Sequence, residues 1–302
     1  MDAYEKFGDV YIVDVSPGNL KGIISSFIVV DNKVTVIEPG PAKEYSKLSK
    51  ALSDLNLRPE IIVATHVHLD HAGSTGHLLR DYPNSIAYIH PKGVKHVVDP
   101  SQLWEAANKF SKLLADNYGK PISADEKRVL HVEDYSEIKI GYHTLKFVYT
   151  PGHASHHMSI LLYPENIIFT GDSAGGIFNF KNGKVYAITS PTPFKPIQYL
   201  ESLEKMKTFN PKYIAPTHYG IHDNGTEYLK IGIERTKIWL DIISDDLQSG
   251  IDDVEKITEH LMNVDEDFRK AVNENIQFFT KGYLLESVMG MINAIKNGDY
   301  KK

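Results

Sequence analysis

Residues 65–73 read THVHLDHAG, and they follow directly on the apolar run IIVA at 61–64. A short apolar run of this kind, β-branched at three of its four positions, predicts a buried strand. Three imidazoles and one carboxylate then fall within six positions. They belong to His66, His68, Asp70 and His71. The stretch therefore predicts a strand that ends at a group of chemically active side chains.

Three further predicted strands end in the same way. His153 follows LKFVY, Asp172 follows NIIF and His218 follows KYIA, each through Thr, Pro or Gly. In α/β proteins the carboxyl ends of strands are where ligand sites form. We therefore expect seven side chains to meet at one site: His66, His68, Asp70, His71, His153, Asp172 and His218.

This set of side chains predicts a metal site. Five neutral imidazoles and two carboxylates brought together would be costly without a compensating positive charge. Nitrogen and oxygen ligands without sulfur suit Zn²⁺, and also Mn²⁺ or Fe²⁺. Seven ligands are too many for one tetrahedral ion, but they fit two ions that share one carboxylate, an arrangement known in hydrolytic enzymes.

The composition narrows the class of protein. The chain has 302 residues, of which 42% are apolar and 24% charged, and its net charge is −6. Cysteine is absent, which excludes disulfides, thiolate metal sites and a cysteine nucleophile. The acidic balance predicts no nucleic-acid partner. Without an apolar leader or a spanning segment, we expect no membrane association and a cytoplasmic location.

The pattern along the chain changes near residue 225. Short strand candidates alternate with helices before it, whereas the residues from Thr226 onward show helical patterns and no convincing strand. We therefore predict a catalytic domain over 1–224 and a helical extension over 225–302. The extension would either cover the site or form a homodimer surface, because its apolar side chains must be buried.

From about residue 9 to residue 222 the sequence resembles the metallo-β-lactamase superfamily, in its glyoxalase II-like and lactonase-like branch. The resemblance rests on THVHLDHAG and on the order and spacing of the three downstream ligands. It implies an α+β fold, a four-layer αβ/βα sandwich with the metals at one edge, here with a C-terminal helical extension.

The resemblance also implies a role for each ligand and two Zn²⁺ per chain, with Fe²⁺ or Mn²⁺ as alternatives. His66, His68 and His153 would hold the first ion. Asp70, His71 and His218 would hold the second. Asp172 would bridge the two.

The implied reaction is hydrolysis of a small ester, thioester or lactone by a hydroxide that bridges the metals. Asp70 would also help to orient this nucleophile or relay its proton. His157 matches the second histidine of the TPGHTxGH pattern and would support the ligands, while His156, in place of the usual glycine, is expected at the surface. Arg235 is expected on a solvated helix face, so the basic residues that bind glutathione are not recognisable.

Two other functions of the same fold stay open. A phosphodiesterase or nuclease would need clusters of Lys and Arg, which the sequence lacks. An iron-dependent oxidoreductase resembling the persulfide dioxygenases would use one metal, and the complete second ligand set argues against it. The expected partner is a small-molecule substrate.

Overall fold

Two β-sheets form the centre of the molecule. The structure is a computed structural model that describes residues 4–180, 183–274 and 283–301. The first sheet has seven strands in chain order. They are β1 (Tyr4–Phe7), β2 (Val10–Asp14), β3 (Ser25–Val29), β4 (Thr35–Ile37), β5 (Ile61–Val63), β6 (Ile86–Ile89) and β7 (Val129–His131). Strands β1 to β4 are antiparallel, and β4 to β7 are parallel.

The second sheet has six strands in the order β15-β14-β11-β10-β9-β8. They are β8 (Glu137–Lys139), β9 (Thr144–Tyr149), β10 (Met158–Tyr163), β11 (Ile167–Gly171), β14 (Tyr213–Pro216) and β15 (His222–Asp223). A separate ribbon pairs β12 (Gly176–Phe180) with β13 (Gly183–Ala187). Because β10 is antiparallel to both β9 and β11, and β11 is parallel to β14, three strands of this sheet end at the same edge.

The two sheets pack face to face. Phe27 of β3 and Phe169 of β11 are fully buried, and their ring centroids lie 5.0 Å apart. The next residue along β3, Ile28, lies on the opposite face with the helices, because side chains alternate along a strand. The central strands of both sheets are therefore buried on two faces, and the predicted αβ/βα sandwich is confirmed.

The helices lie outside the sheets. In the body they are α1 (Tyr45–Asp54), α2 (Leu69–Ala72), α3 (Thr75–Asp81), α4 (Val94–Val98), α5 (Ser101–Phe110), α6 (Lys112–Tyr118) and α7 (Pro196–Lys207). The C-terminal part contributes α8 (Gly225–Gln248), α9 (Val254–Val264), α10 (Glu266–Asn273) and α11 (Leu285–Lys296). Within the described ranges, no helix combines the length and the apolar character needed to cross a bilayer.

A buried ion pair fastens the C-terminal helices to one another. Arg235 of α8 donates to both carboxylate oxygens of Asp265, with Nε 2.9 Å from Oδ2. Asp265 also accepts the indole N–H of Trp239 at 2.8 Å and the backbone N–H of Phe268 at 2.9 Å, which begins α10. The expectation that Arg235 is solvated was wrong, since its side chain is 14% exposed. The acidic partner lies 30 positions away, outside the helix pattern on which that expectation relied.

We expect Asp265→Ala to lower the free energy of unfolding by about 3 kcal/mol, because it leaves the buried guanidinium of Arg235 without its main partner. Urea denaturation would show this as a lower midpoint with an unchanged slope. The matched control is Asp54→Ala, which breaks the solvent-exposed pair with Lys50 and should leave the urea midpoint almost unchanged. Equal losses in the two variants would contradict the structural role of Asp265.

Candidate metal centre

The ends of four strands bring the seven predicted ligands to one edge of the sandwich. His66 and His68 follow β5, and α2 then carries Asp70 and His71. His153, Asp172 and His218 follow β9, β11 and β14 of the other sheet. All are buried except His68, which is partly exposed. The edge is therefore built from both sheets, and the role of each side chain as a ligand stays a prediction.

Three ring nitrogens converge in the first of two groups. Nε2 of His66 and Nε2 of His153 lie 2.9 and 3.1 Å from Nδ1 of His68. The other nitrogen of His153 donates to the carbonyl of Thr189 at 3.0 Å, so its Nε2 faces the group as a lone pair. The nitrogens of a zinc tetrahedron lie about 3.3 Å apart for Zn–N bonds of about 2.0–2.1 Å. The separations fit one ion.

The second group contains two ring nitrogens and one carboxylate oxygen, from His71, His218 and Asp70. Oδ2 of Asp70 lies 3.6 Å from Nε2 of His71 and 3.6 Å from Nε2 of His218. Among the described residues, neither ring nitrogen has a hydrogen-bond partner although both are buried. Nδ1 of His218 donates to the carbonyl of Ile23 at 2.8 Å, which turns its Nε2 toward the group. A cation would satisfy these atoms, whose desolvation is otherwise uncompensated.

Asp172 lies between the two groups. Its Oδ2 is 3.3 Å from Nε2 of His153, and its Oδ1 is 3.3 Å from Nε2 of His218 and 3.5 Å from Nε2 of His71. Oδ1 is buried and accepts no hydrogen bond from the part of the chain that the structure describes. One carboxylate therefore faces both groups, and its role as a bridging ligand stays a prediction.

The charges at the site follow from burial and from these carboxylates. Burial and the neighbouring rings hold the pKa of His66 and His68 well below the usual range, so both are neutral. Burial alone would also lower the pKa of His71 and His218, but the carboxylates outweigh it and raise both. The second group therefore attracts positive charge, which a divalent ion would supply in place of protons.

His157 holds the backbone that carries Asp172. The imidazole is fully buried, and its Nε2 accepts the backbone N–H of Asp172 at 3.1 Å. Nδ1 then carries the proton and donates to the hydroxyls of Ser173 and Thr150, at 2.7 and 2.9 Å. Burial lowers the pKa of His157 well below its usual range, consistent with a neutral ring. The ring of His157 contacts the backbone of Asp172, and it does not line the cavity at the site.

Glu38, which follows β4 and is fully buried, was not among the predicted site residues. Its carboxylate accepts the backbone N–H of Thr65 at 2.6 Å and the hydroxyl of Thr217 at 2.7 Å. It also accepts Nδ1–H of His71, which leaves Nε2 of that ring for the second group. A carboxylate behind a ligating imidazole fixes its tautomer and orientation. The available signal was the same as for the ligands, namely a charged residue directly after an apolar strand.

Two tyrosines also reach the site. The hydroxyl of Tyr283 lies 3.3 Å from Oδ2 of Asp70 and is hydrogen-bonded to the hydroxyl of Tyr118. Burial raises the pKa of both phenols well above the usual range, so they stay protonated. No pattern in the sequence connects residue 283 with residue 70, because only the packing of the C-terminal helices brings them together.

His156 lies closer to the site than its predicted surface position. Its ring is stacked at 18° on the ring of His66, with centroids 6.1 Å apart. Burial lowers the pKa of His156 to about 4. The expectation of a surface position was therefore wrong, because the turn after His153 folds back over the first group.

The two groups open into a cavity of about 290 Å³. Its walls are mainly apolar and come from α5, α6, the segment 189–193 and the start of the last helical stretch. The apolar side chains from α5 and α6 are Leu103, Ala106, Ala107, Phe110, Leu114 and Ala115. Tyr283, Glu286 and Ser287 belong to the C-terminal part, which therefore covers one side of the site in the same chain.

The family model of the metallo-beta-lactamase superfamily matches residues 20–218, about two thirds of the chain. The chain belongs to the metallo-beta-lactamase superfamily. The matched region begins before β3 and ends at His218, so it includes all seven residues of the site. Groups of histidine and aspartate that could hold metal ions lie within it.

Relatives of this superfamily member differ in their named activities. A metallo-beta-lactamase fold-containing protein of Sulfurisphaera tokodaii is 29% identical and covers 70% of this chain, which spans 78% of that protein. A hydroxyacylglutathione hydrolase of Pelagibacter ubique is 26% identical over 69% of this chain and 76% of the enzyme. An atrochrysone carboxyl ACP thioesterase of Aspergillus fumigatus is 26% identical over 65% of this chain, which spans only 50% of that enzyme.

Solved structures of the superfamily share the fold of this chain. The archaeal superfamily protein from Sulfolobus tokodaii has a TM-score of 0.65 at 26% identity, covering 76% of this chain and 86% of that one. A family protein from Thermus thermophilus has a TM-score of 0.64 at 14% identity, covering 97% and 95%. The second likeness concerns the fold alone, and it extends over the C-terminal helices.

We expect Glu38→Gln to weaken metal binding by about 10- to 100-fold, because a neutral amide no longer orients and polarises the imidazole of His71. Metal retained after dialysis against a graded series of chelator concentrations would measure this. The matched control is Glu44→Gln, since Glu44 is also buried but pairs with Lys47 and the backbone N–H of Gly18. Retention of metal equal to that of the control would contradict the role of Glu38.

Proposed function

We propose that the chain is a binuclear metal-dependent hydrolase, and that it cleaves a small ester, thioester or lactone with an apolar acyl part. One observation carries the proposal: Asp172 faces two groups of inward-pointing ligand atoms at the floor of an apolar cavity. Zn²⁺ fits the nitrogen and oxygen ligands, and Fe²⁺ or Mn²⁺ would also fit them.

The residues of the chain would bind and orient the reacting groups. Two bound divalent cations would lower the pKa of a water molecule toward neutrality and polarise the substrate carbonyl. Asp70 faces both the second group and the cavity, where it can orient the attacking water and accept its proton. Tyr283 remains protonated and donates its one proton to Asp70 in the structure. The same proton could turn from Asp70 to negative charge that develops on the substrate.

The cavity indicates which part of the substrate enters it. An apolar acyl group would contact α5 and α6, and each buried methylene would contribute about 0.8 kcal/mol to binding. The named activities of two relatives, an ACP thioesterase and a hydroxyacylglutathione hydrolase, support an acyl thioester as the first class to test. Neither relative determines the leaving group for this chain.

The alternatives from the sequence fit less well. Among the described residues that line the cavity, none is Lys or Arg, so a phosphodiester backbone or the carboxylates of glutathione would meet no cation there. In an oxidoreductase with a single iron, the ligand atoms of the second group, Asp70, His71 and His218, would bind no ion. Hydrolysis of a neutral acyl compound is therefore the proposal that uses every part of the site.

We expect Asp172→Ala to reduce turnover of a p-nitrophenyl ester or an acyl thioester at least about 1000-fold, because it would remove a ligand from both ions and with it the metal stabilisation of transition-state charge. Metal content by mass spectrometry should fall in the same preparation. The matched control is Asp223→Ala. Asp223 is an exposed carboxylate in β15, five residues after His218, and this variant should retain both activity and metal. Full turnover and full metal content in the Asp172 variant would remove the bridging assignment.

We expect Ala107→Phe to reduce kcat/KM about 10-fold or more for an octanoyl thioester relative to an acetyl thioester, because the added ring fills the apolar cavity. Glu105→Phe is the control, since it adds the same ring on the solvent-exposed side of the same helix. An identical loss for both acyl lengths would contradict the assignment of this wall to the acyl chain. Activity toward bis-p-nitrophenyl phosphate above that toward the thioesters would favour the phosphodiesterase alternative.

A further inference from the structure

A separate cluster of ligand atoms lies at the end of the sandwich opposite the principal centre. We propose that His143 Nε2, Glu165 Oε2 and Asp9 Oδ2 form a separate site for a divalent transition-metal ion of the Zn²⁺ class, which links the two sheets. Ligand atoms of these three residues lie within 4.8 Å of one another. The site does not depend on the hydrolytic function proposed above.

The three residues come from turns that the fold brings together. Asp9 lies between β1 and β2 of the seven-stranded sheet. His143 precedes β9 and Glu165 precedes β11 in the six-stranded sheet. Since the ligands of the principal centre follow β9 and β11, this group lies at the other end of the same strands. An ion here would join one sheet to the other.

The unpartnered atoms at this group resemble those at the principal centre. The side chain of His143 is 2% exposed, and its Nε2 lies 3.1 Å from Oε2 of Glu165 and 3.8 Å from Oδ2 of Asp9. Both Nε2 of His143 and Oε2 of Glu165 are buried without an aligned hydrogen bond from any described residue. The same combination of close approach and missing hydrogen bonds marks His71, His218 and Asp172.

Asp31 prepares the imidazole for this role. Its carboxylate lies 2.8 Å from Nδ1 of His143 and accepts the backbone N–H groups of His143 and Tyr142 at 2.7 and 3.1 Å. The ionised carboxylate therefore holds a proton on Nδ1, which leaves Nε2 free to bind a cation.

A glycine at position 141 is required for the close contact between His143 and Asp31. Gly141 has φ of +147°, and a Cβ at that position would lie 2.0 Å from Oδ1 of Asp31. The turn before β9 can therefore bring His143 against Asp31 only with glycine at 141. The close contact is built by the backbone, so the imidazole is positioned before any ion arrives.

The competing explanation is an ion pair without metal. Such a pair would set at most one positive charge, on His143, against the carboxylates of Asp9, Asp31 and Glu165. Among the described residues no Lys or Arg forms an ion pair with these three carboxylates, so two negative charges would be balanced by solvent alone. A divalent cation compensates them, and mixed nitrogen and oxygen ligands suit an ion of the Zn²⁺ class. Asp9 has a side chain that is 59% exposed, which gives the ion a path from solvent.

The test is calorimetric titration of ZnCl₂ into the full chain after its metal has been removed with a chelator. We expect His143→Gln to bind one Zn²⁺ fewer per chain than the unmodified protein. Asp9→Asn should weaken binding of that same equivalent about 10-fold or more, because loss of a ligand costs at least as much as loss of a supporting residue. The control is His131→Gln, an exposed histidine paired with Glu133, which should leave the titration unchanged.

Circular dichroism would establish that each variant is folded, and the exposed Asp9 keeps the test valid if His143→Gln does not fold. Zn²⁺ should also raise the unfolding temperature of the His131 control more than that of Asp9→Asn, because binding to the folded state stabilises it. Equal stoichiometry and equal affinity in the control and both site variants would overturn the proposal. That result would assign the group to an ion pair of protonated His143.

Discussion

The structure depends on how the carboxylate of Asp172 is accommodated between imidazoles from both sheets. The side chain is buried, its two oxygens face different groups, and burial alone would oppose its charge. The nearby rings of His71, His153 and His218 outweigh burial and hold the pKa of Asp172 well below its usual range. A fixed negative charge at the edge of two sheets requires positive charge beside it. A divalent cation would provide that charge without requiring the imidazoles to be protonated.

This constraint explains which parts could be predicted from the sequence. The ligands follow short apolar strands, and both the strand and the residue that ends it are local features of the chain. His153, Asp172 and His218 were predicted in this way, and the structure brings them together with the THVHLDHAG stretch. The carboxyl ends of β9, β11 and β14 coincide because the strands run in one direction, so a local rule was sufficient to predict a tertiary result.

The remaining parts depend on contacts between distant segments. Tyr283 reaches Asp70 because its hydroxyl also bonds that of Tyr118 at the end of α6. Helical periodicity in the extension gives no information on this contact. Arg235 was expected in solvent because its own helix offers no acidic partner, whereas Asp265 is supplied by the next but one helix. Glu38 also follows an apolar strand, so the rule that identified the ligands could have found it. Its contact with Thr217, which follows β14 of the second sheet, could not be predicted from the sequence, and without that contact Glu38 resembles any charged residue in a turn.

At both ends of the sandwich, a carboxylate that accepts the Nδ1–H of a histidine orients its imidazole. Glu38 holds Nδ1 of His71 at one end, and Asp31 holds Nδ1 of His143 at the other. In each case a turn after a strand of the first sheet supplies the carboxylate. The ring comes from another segment, which is α2 for His71 and the turn before β9 for His143. Because the ring orientation is fixed by the folded backbone, binding of an ion requires little reorganisation and adds its free energy to that of folding. The two ends differ in access, since the cavity above Asp172 is large enough for an organic substrate, whereas Asp9 borders solvent directly.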